Sequence, residues 1–356
     1  MEFSKLVEAA RRLGASDIHL LADMPPCFRV HGDIKPAQVP ALSASEIRTM
    51  IDTLITPVQR EQFEQEWELC ISQLVSDAGR VRITLYLRAG QPEMAIRLCA
   101  PDIGDRAFLR LPPVIDEVCR RPSGLVLICG PTGSGKTTTM NYMLDVINSE
   151  RRVKIITIED PIEYVHRHKR SIVVQQELLG DVKSFSRALR HALRQNPDVI
   201  AIGELRDLDT MYTAIQAAET GHLVITTLHT PGAAESILRL VNVFPAGQQE
   251  EVRYSVGTSI EAIFAQHLLP CASENRRMLA CEVMLGTPGV KNIIRDGQTA
   301  KLHTEMQMGR KLGMQTLDSV LLDLYQEGAI TYDCCLGHAR DVKTVKDRLH
   351  GGREPH

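Results

Sequence analysis

Between Leu125 and Leu228 the hydrophobic positions come in short unbroken runs, and each run gives way to polar residues at its C-terminal end. The runs are Leu125–Cys129, Lys154–Ile158, Asp198–Ile202 and Leu223–Leu228, with a shorter one at Ser171–Val174. Helical patterns separate them: one capped by Ser184 and running through Arg194, another from Thr210 to Thr220 and stopped by Gly221. Buried strands alternating with helices predict a mostly parallel sheet, so the fold class is α/β. The N-terminal pattern differs. Residues 3–13 carry apolar side chains at helical spacing and stop at Gly14, and strands follow at Ser16–Leu21 and Cys27–His31, with a turn at Gly32-Asp33. Ser45 is read as the cap of a helix through Leu54, Pro57 as the opening of the next, and residues 68–98 alternate as three strands.

These patterns divide the chain into a smaller α+β domain over 1–100, a Pro- and Gly-containing linker over 101–113, and an α/β domain over 114–356. Within the last, the pattern from about 234 to 350 reads as helical, and residues 351–356 read as a loose tail. No period of repeat length recurs.

Composition narrows the function. The chain has 356 residues, 44% of them hydrophobic, which is enough for two cores. Its net charge of −3 argues against nucleic acid as a partner, and the basic run His166–Arg170 reads as a solvated face. The nine cysteines contain no Cys-x-x-Cys pair, which argues against a structural zinc site and a secreted disulfide framework. With no signal peptide and no apolar run near the ~20 residues of a membrane span, the expected place is the cytoplasm, with no direct membrane insertion.

The first strand of the α/β domain runs directly into Gly130-Pro131-Thr132-Gly133-Ser134-Gly135-Lys136-Thr137, with a helical pattern from Thr138 onward. Strand, Gly-x-x-x-x-Gly-Lys-Thr loop and helix together predict a nucleoside triphosphate site. Glycines let successive N–H groups turn inward, and the helix start adds positive potential. Gly130 to Thr138, together with Glu159, form the expected nucleotide-binding set, with Lys136 on the β- and γ-phosphates and Thr137 on Mg²⁺.

Ligands of open parallel sheets bind beyond the carboxyl ends of the strands. The successive strands here end in the phosphate loop, in Glu159-Asp160-Pro161-Ile162-Glu163, in Gly203-Glu204 and in His229. That convergence predicts hydrolysis. Glu204 suits the Mg²⁺ side, Glu163 or Glu159 can orient the attacking water, and His229 can sense the γ-phosphate. His222 precedes its strand by a full strand length, roughly 20 Å from His229, and is assigned to a supporting or interface role. In the N-terminal domain Arg80 and Arg82 share one strand face and Arg97 lies on a neighbouring strand. A solvated face and a cationic patch completing a nucleotide site both fit them.

Taken together these residues resemble the secretion-ATPase superfamily, most closely its PilT-type retraction ATPases of type IV pili. The resemblance rests on Gly130–Thr137, on Ile158–Tyr164, on Asn196–Asp207 and on Ala218–Thr230, and the early Ser16–Leu20 and the Arg82/Arg97 pair fit as well. It implies a RecA-like P-loop domain preceded by a PAS-like N-terminal domain. It also implies ATP with Mg²⁺, Glu163 as the water-activating base, Glu204 beside the metal, and Arg82 and Arg97 as charge-stabilising arginines. A homohexamer follows from it, docked on an inner-membrane platform protein at the cytoplasmic face and acting on pilin indirectly. The family's Gln-Arg-Glu-Val-Gly run reads Gln175–Leu179 here, and its Ala-Ile-Arg-Asn-Leu-Ile-Arg-Glu segment reads Gly289–Asp296. The cysteine pairs of pilus-extension and type II secretion ATPases are absent, which favours retraction. The competing expectation is an accessory nucleotide-binding module that docks on the platform while a paralogue supplies force.

Overall fold

The computed structural model describes residues 2–30, 32–75, 79–99, 103–273 and 276–351. Of the expected tail at 351–356, Gly351 instead ends a helix, Val342–Gly351, and 352–356 lie outside them, as do residue 100 and the first two residues of the linker expected over 101–113. The chain divides into two units: Met1–Ile103 with Asp160–Val165 and Glu177–Asp181, and Gly104–Glu159 with His166–Gln176 and Val182–His356.

The N-terminal unit is built on six antiparallel strands: β1 (Ala15–Leu20), β2 (Cys27–Val30), β3 (Asp33–Pro36), β4 (Glu68–Val75), β5 (Gly79–Arg88) and β6 (Gln91–Leu98). They are ordered β3-β2-β1-β6-β5-β4. Helices Phe3–Arg12, Ala44–Leu54 and Pro57–Glu66 pack into one core with the sheet's inner face. On β5, Val81, Ile83 and Leu85 are wholly buried. Each contributes about 1.5–3 kcal/mol by leaving water, so a one-residue slip that exposed them would be heavily disfavoured. Arg80 and Arg82 are thereby held on the opposite face. The helix expected to start after Ser45 is capped instead by Ser43, two residues earlier. Glu46 sits three positions beyond Ser43 and returns its carboxylate to the Ser43 N–H, closing a reciprocal capping box.

The second unit contains β7 (Gly124–Cys129), β8 (Lys154–Glu159), β9 (Ile172–Glu177, its last residue grouped with the first unit), β10 (Val199–Ile202), β11 (Leu223–Leu228), β12 (Ile260–Pro270) and β13 (Arg277–Leu285). Their order is β13-β12-β7-β11-β10-β8-β9. The pairs β12–β7, β7–β11, β11–β10 and β10–β8 are parallel, and β13 is antiparallel to β12. Every residue of β7, β10 and β11 is buried, as expected of parallel strands covered on both faces.

The helical reading of 234–350 misses two strands. Strand β12 runs beside β7, and its buried run Ala262, Ile263, Phe264 and Ala265 has no polar alternation. Without that alternation a buried strand and a buried helix look alike in sequence. The rest of the segment is helical, and Leu317, Leu321, Leu324, Ile330, Cys335 and Val345 build a satellite core against Leu269, Met278 and Ala280 of the hairpin.

Candidate active site

The phosphate loop hangs between β7 and the helix Lys136–Glu150. A Cβ on Gly130, at φ +142°, would stand 2.3 Å from the Gln266 carbonyl oxygen and 2.6 Å from Ser134 Oγ. Gly133 and Gly135 have left-handed φ values of +78° and +90°. Only glycine adopts this path without strain. The helix is capped by Gly135, with no side-chain cap bond to its first N–H groups among the described residues. Ser134 Oγ is buried and has no hydrogen-bond partner among the described residues. Uncapped donors and an orphaned hydroxyl in one glycine loop fit an anion of phosphate type.

Lys136 is only 8% exposed, and its Nζ donates to Gly130 O at 2.9 Å and Pro131 O at 3.0 Å. Burial pushes its pKa down, opposed by the charge of Glu204. The same Nζ lies 3.5 Å from His229 Nδ1, and His229 Nε2 lies 3.2 Å from Glu204 Oε1. A lysine can only donate, so Nδ1 accepts and the imidazole proton sits on Nε2, facing the carboxylate. Glu204 Oε2 accepts from Arg206 Nε at 3.0 Å. The ends of three parallel strands thus bring Lys136, His229 and Glu204 into one polar chain. It borders a hollow of about 470 Å³ lined by Glu204, Leu205, Arg206, Leu228, His229, Thr230 and Arg239. The β10 and β11 ends are locked together by Thr227, whose Oγ1 donates to Gly203 O at 2.6 Å.

Glu159 ends β8 and is 1% exposed, with Oε1 accepting from Thr157 Oγ1 at 2.7 Å and from Gln175 Nε2 at 3.0 Å. Thr137 contributes its carbonyl to Asn141 Nδ2 at 2.9 Å, and Asn141 Oδ1 meets His166 Nε2 at 2.7 Å. This corrects the reading of 166–170 as a solvated face. Residues 167–170 are exposed, but His166 is buried against Asn141, and burial lowers its pKa. Its place in a run of cations hid it.

Glu163 falls in the N-terminal unit's segment Asp160–Val165. Burial raises its pKa, and the charges of Arg82 and Arg97 oppose that rise. Those two arginines are direct cross-strand partners on β5 and β6. Arg97 Nε donates to Asp17 Oδ1 at 3.0 Å, and Arg82 Nε lies 3.2 Å from Cys70 Sγ. Arg80 has a different task, pairing with Glu177 Oε2 at 3.0 Å. His222 sits before β11, at the strand end opposite His229, with Nδ1 3.0 Å from Ala217 O. The structure therefore gathers Lys136, Glu204 and His229 in one unit and Glu163, Arg82 and Arg97 in the other. Asp17, Arg206, Asn141 and Gln175 had no assignment from sequence. Asp17, Arg206 and Gln175 lie within runs compared with the family, but their bonding partners are set by the tertiary structure.

Comparison with known proteins gives four consistent matches. The family model described as "Type II/IV secretion system protein" matches residues 107–329. The type IV pilus retraction ATPase PilT of Pseudomonas aeruginosa is 40% identical over 331 residues, spanning 93% of this chain and 96% of its own. A twitching motility protein of Neisseria gonorrhoeae is 37% identical over 325 residues, spanning 91% of this chain and 87% of its own. A crystal structure of the pilus retraction motor PilT with bound ADP superposes with a TM-score of 0.91 at 40% identity, covering 97% of this chain and 99% of that one.

Proposed function

We propose, from the premise that this chain belongs to the type II/IV secretion system protein family, that it is the ATP-hydrolysing motor of type IV pilus retraction. The observation that carries the reading is the Lys136–His229–Glu204 chain beside a phosphate loop whose helix start and buried Ser134 hydroxyl lack acceptors and donors of their own. The ADP bound to the similar motor supports the nucleotide class.

ATP binding exchanges the two carbonyl contacts of Lys136 for phosphate oxygens. His229, held between Lys136 and Glu204, then reports whether a γ-phosphate is present, because any movement of the ammonium changes what its Nδ1 faces. Thr137 and Glu204 are the residues that would hold Mg²⁺, which would supply positive charge against the β- and γ-phosphates. Glu163 takes the proton of the attacking water. Its raised pKa brings it closer to the pH at which it works than an ordinary glutamate. Arg82 and Arg97 stabilise the charge that develops on the transferred phosphoryl group, with Arg97 aimed by Asp17.

Six copies form a ring at the cytoplasmic face of the inner membrane, docked on a platform protein, and hydrolysis moves the domains. No helix among the described residues is long and apolar enough to cross a membrane. The test pairs ATPase assays of the purified chain with pilus dynamics after deletion of its gene. Basal turnover, together with surface fibres that extend but no longer retract, is the expected result. A purified chain without ATPase activity would overturn the motor reading in favour of an accessory nucleotide-binding module.

A further inference from the structure

We infer that Gln175 is a positioning residue for the reaction: its one side chain clamps both ends of the segment that carries Glu163. The inference rests on the proposed role of Glu163 as the water-activating base. Between Glu159 and His166 the chain leaves the second unit for six residues, Asp160–Val165, and then returns. Gln175, on β9, bonds to the residue on each side of that excursion. Its Nε2 donates to Glu159 Oε1 at 3.0 Å, and its Oε1 accepts from the His166 backbone N–H at 2.8 Å. A carboxylate on one side and an N–H on the other require an acceptor and a donor on one planar group. Glutamine supplies both, and glutamate would set two carboxylates against each other.

Both ends of the segment are themselves braced. Thr157 Oγ1 holds the same Glu159 oxygen at 2.7 Å. His166 is fixed by Asn141 at 2.7 Å, and Asn141 in turn donates to the carbonyl of Thr137 at 2.9 Å. Between the ends, the Ile162 N–H donates to Glu177 Oε2 at 3.0 Å, two residues beyond Gln175 on the same strand, and Ile162 O accepts from Ser72 Oγ at 2.8 Å. Glu163 follows immediately. The residues flanking the segment are thus held by Gln175 of β9, and His166 is joined through Asn141 to Thr137 in the first turn of the phosphate-loop helix.

Gln175→Met keeps the length of the side chain and removes both bonds. In the purified full-length chain we expect kcat to fall about ten- to hundredfold, the cost of a catalytic group displaced by a fraction of an ångström to an ångström. Affinity for ADP should stay within about threefold, since no phosphate contact is lost. In a Glu163→Gln background the same substitution should lower turnover little further, because the residue it positions is already disabled. Hydrogen exchange of the amides over 160–166 should quicken. Should Gln175→Met fail to fold, Gln175→Glu keeps the bond from His166 and breaks the one to Glu159, and it is expected to lower kcat in the same way. Unchanged kcat, an equal loss of ADP affinity, or a full additional loss in the Glu163→Gln background would each overturn the inference. Wild-type turnover in Glu163→Gln alone would instead remove Glu163 as the base. The clamp would then stand or fall on exchange over 160–166, and unchanged exchange in Gln175→Met would overturn it.

Discussion

Lys136→Met keeps the side-chain stem and deletes the ammonium, so it isolates the charge that meets the phosphates. Lys136 Nζ already makes two bonds to loop carbonyls, at 2.9 and 3.0 Å. Nucleotide binding therefore exchanges hydrogen bonds rather than adding them. A hydrogen bond to a charged group contributes about 1.5–3 kcal/mol, so two phosphate bonds are worth roughly 3–6 kcal/mol before the carbonyl bonds are subtracted. The carbonyl bonds share the charged donor but meet a neutral acceptor, and counting them at about half the phosphate bonds leaves roughly 1.5–3 kcal/mol, or about a 10- to 150-fold rise in Kd. Calorimetric titration with ADP and with a non-hydrolysable ATP analogue measures it directly. Thermal unfolding gives a second reading. At a hundredfold excess of ADP over the wild-type Kd, the wild-type chain gains about 2.7 kcal/mol, and a variant bound a hundredfold more weakly gains about 0.4 kcal/mol. ADP affinity within threefold of wild type would refute the argument, because the buried ammonium would then have to face something other than phosphate.

Glu204→Gln keeps the shape of the side chain while removing the charge that His229 and Arg206 face at 3.2 and 3.0 Å. Turnover should fall at least about a hundredfold while ADP still binds, as read by coupled ATPase assay and titration. The pKa of Glu163 is raised by burial and held back by Arg82 and Arg97. Because the base must be ionised, kcat should fall on acidification with a midpoint above the ordinary glutamate value of about 4.3. Arg82→Ala removes a cation that favours the ionised form, so the acid limb should move to higher pH, and a shift to lower pH would contradict the assignment. Gly130→Ala puts a methyl group 2.3 Å from Gln266 O at a left-handed φ, and it should cost at least about 1–3 kcal/mol in denaturant unfolding as well as nucleotide affinity.

Much of the second unit was legible in the chain because its signals are local. The runs that became β7, β8, β10 and β11 are continuous and apolar, the glycines of the phosphate loop are adjacent in sequence, and a strand's polar end follows its last buried residue. Those facts fix the parallel sheet and the edge at which Lys136, Glu204 and His229 meet. Partners separated by tens of residues were not legible. The sequence does not announce that Asp17 aims Arg97 across 80 residues, that Gln175 reaches back 16 to Glu159, or that His166 is buried against Asn141 25 residues earlier. Nor does it show that β12 lies beside β7 or that Glu163 is carried in a segment grouped with the N-terminal unit. Periodicity reports which face of an element leaves water, and motifs report short-range geometry. Which side chain completes a distant residue's hydrogen bonds is settled only when packing brings the two together. That is why the sequence by itself determined the sheet and its phosphate loop, while the tertiary structure alone decided how the acidic and basic groups around them are held.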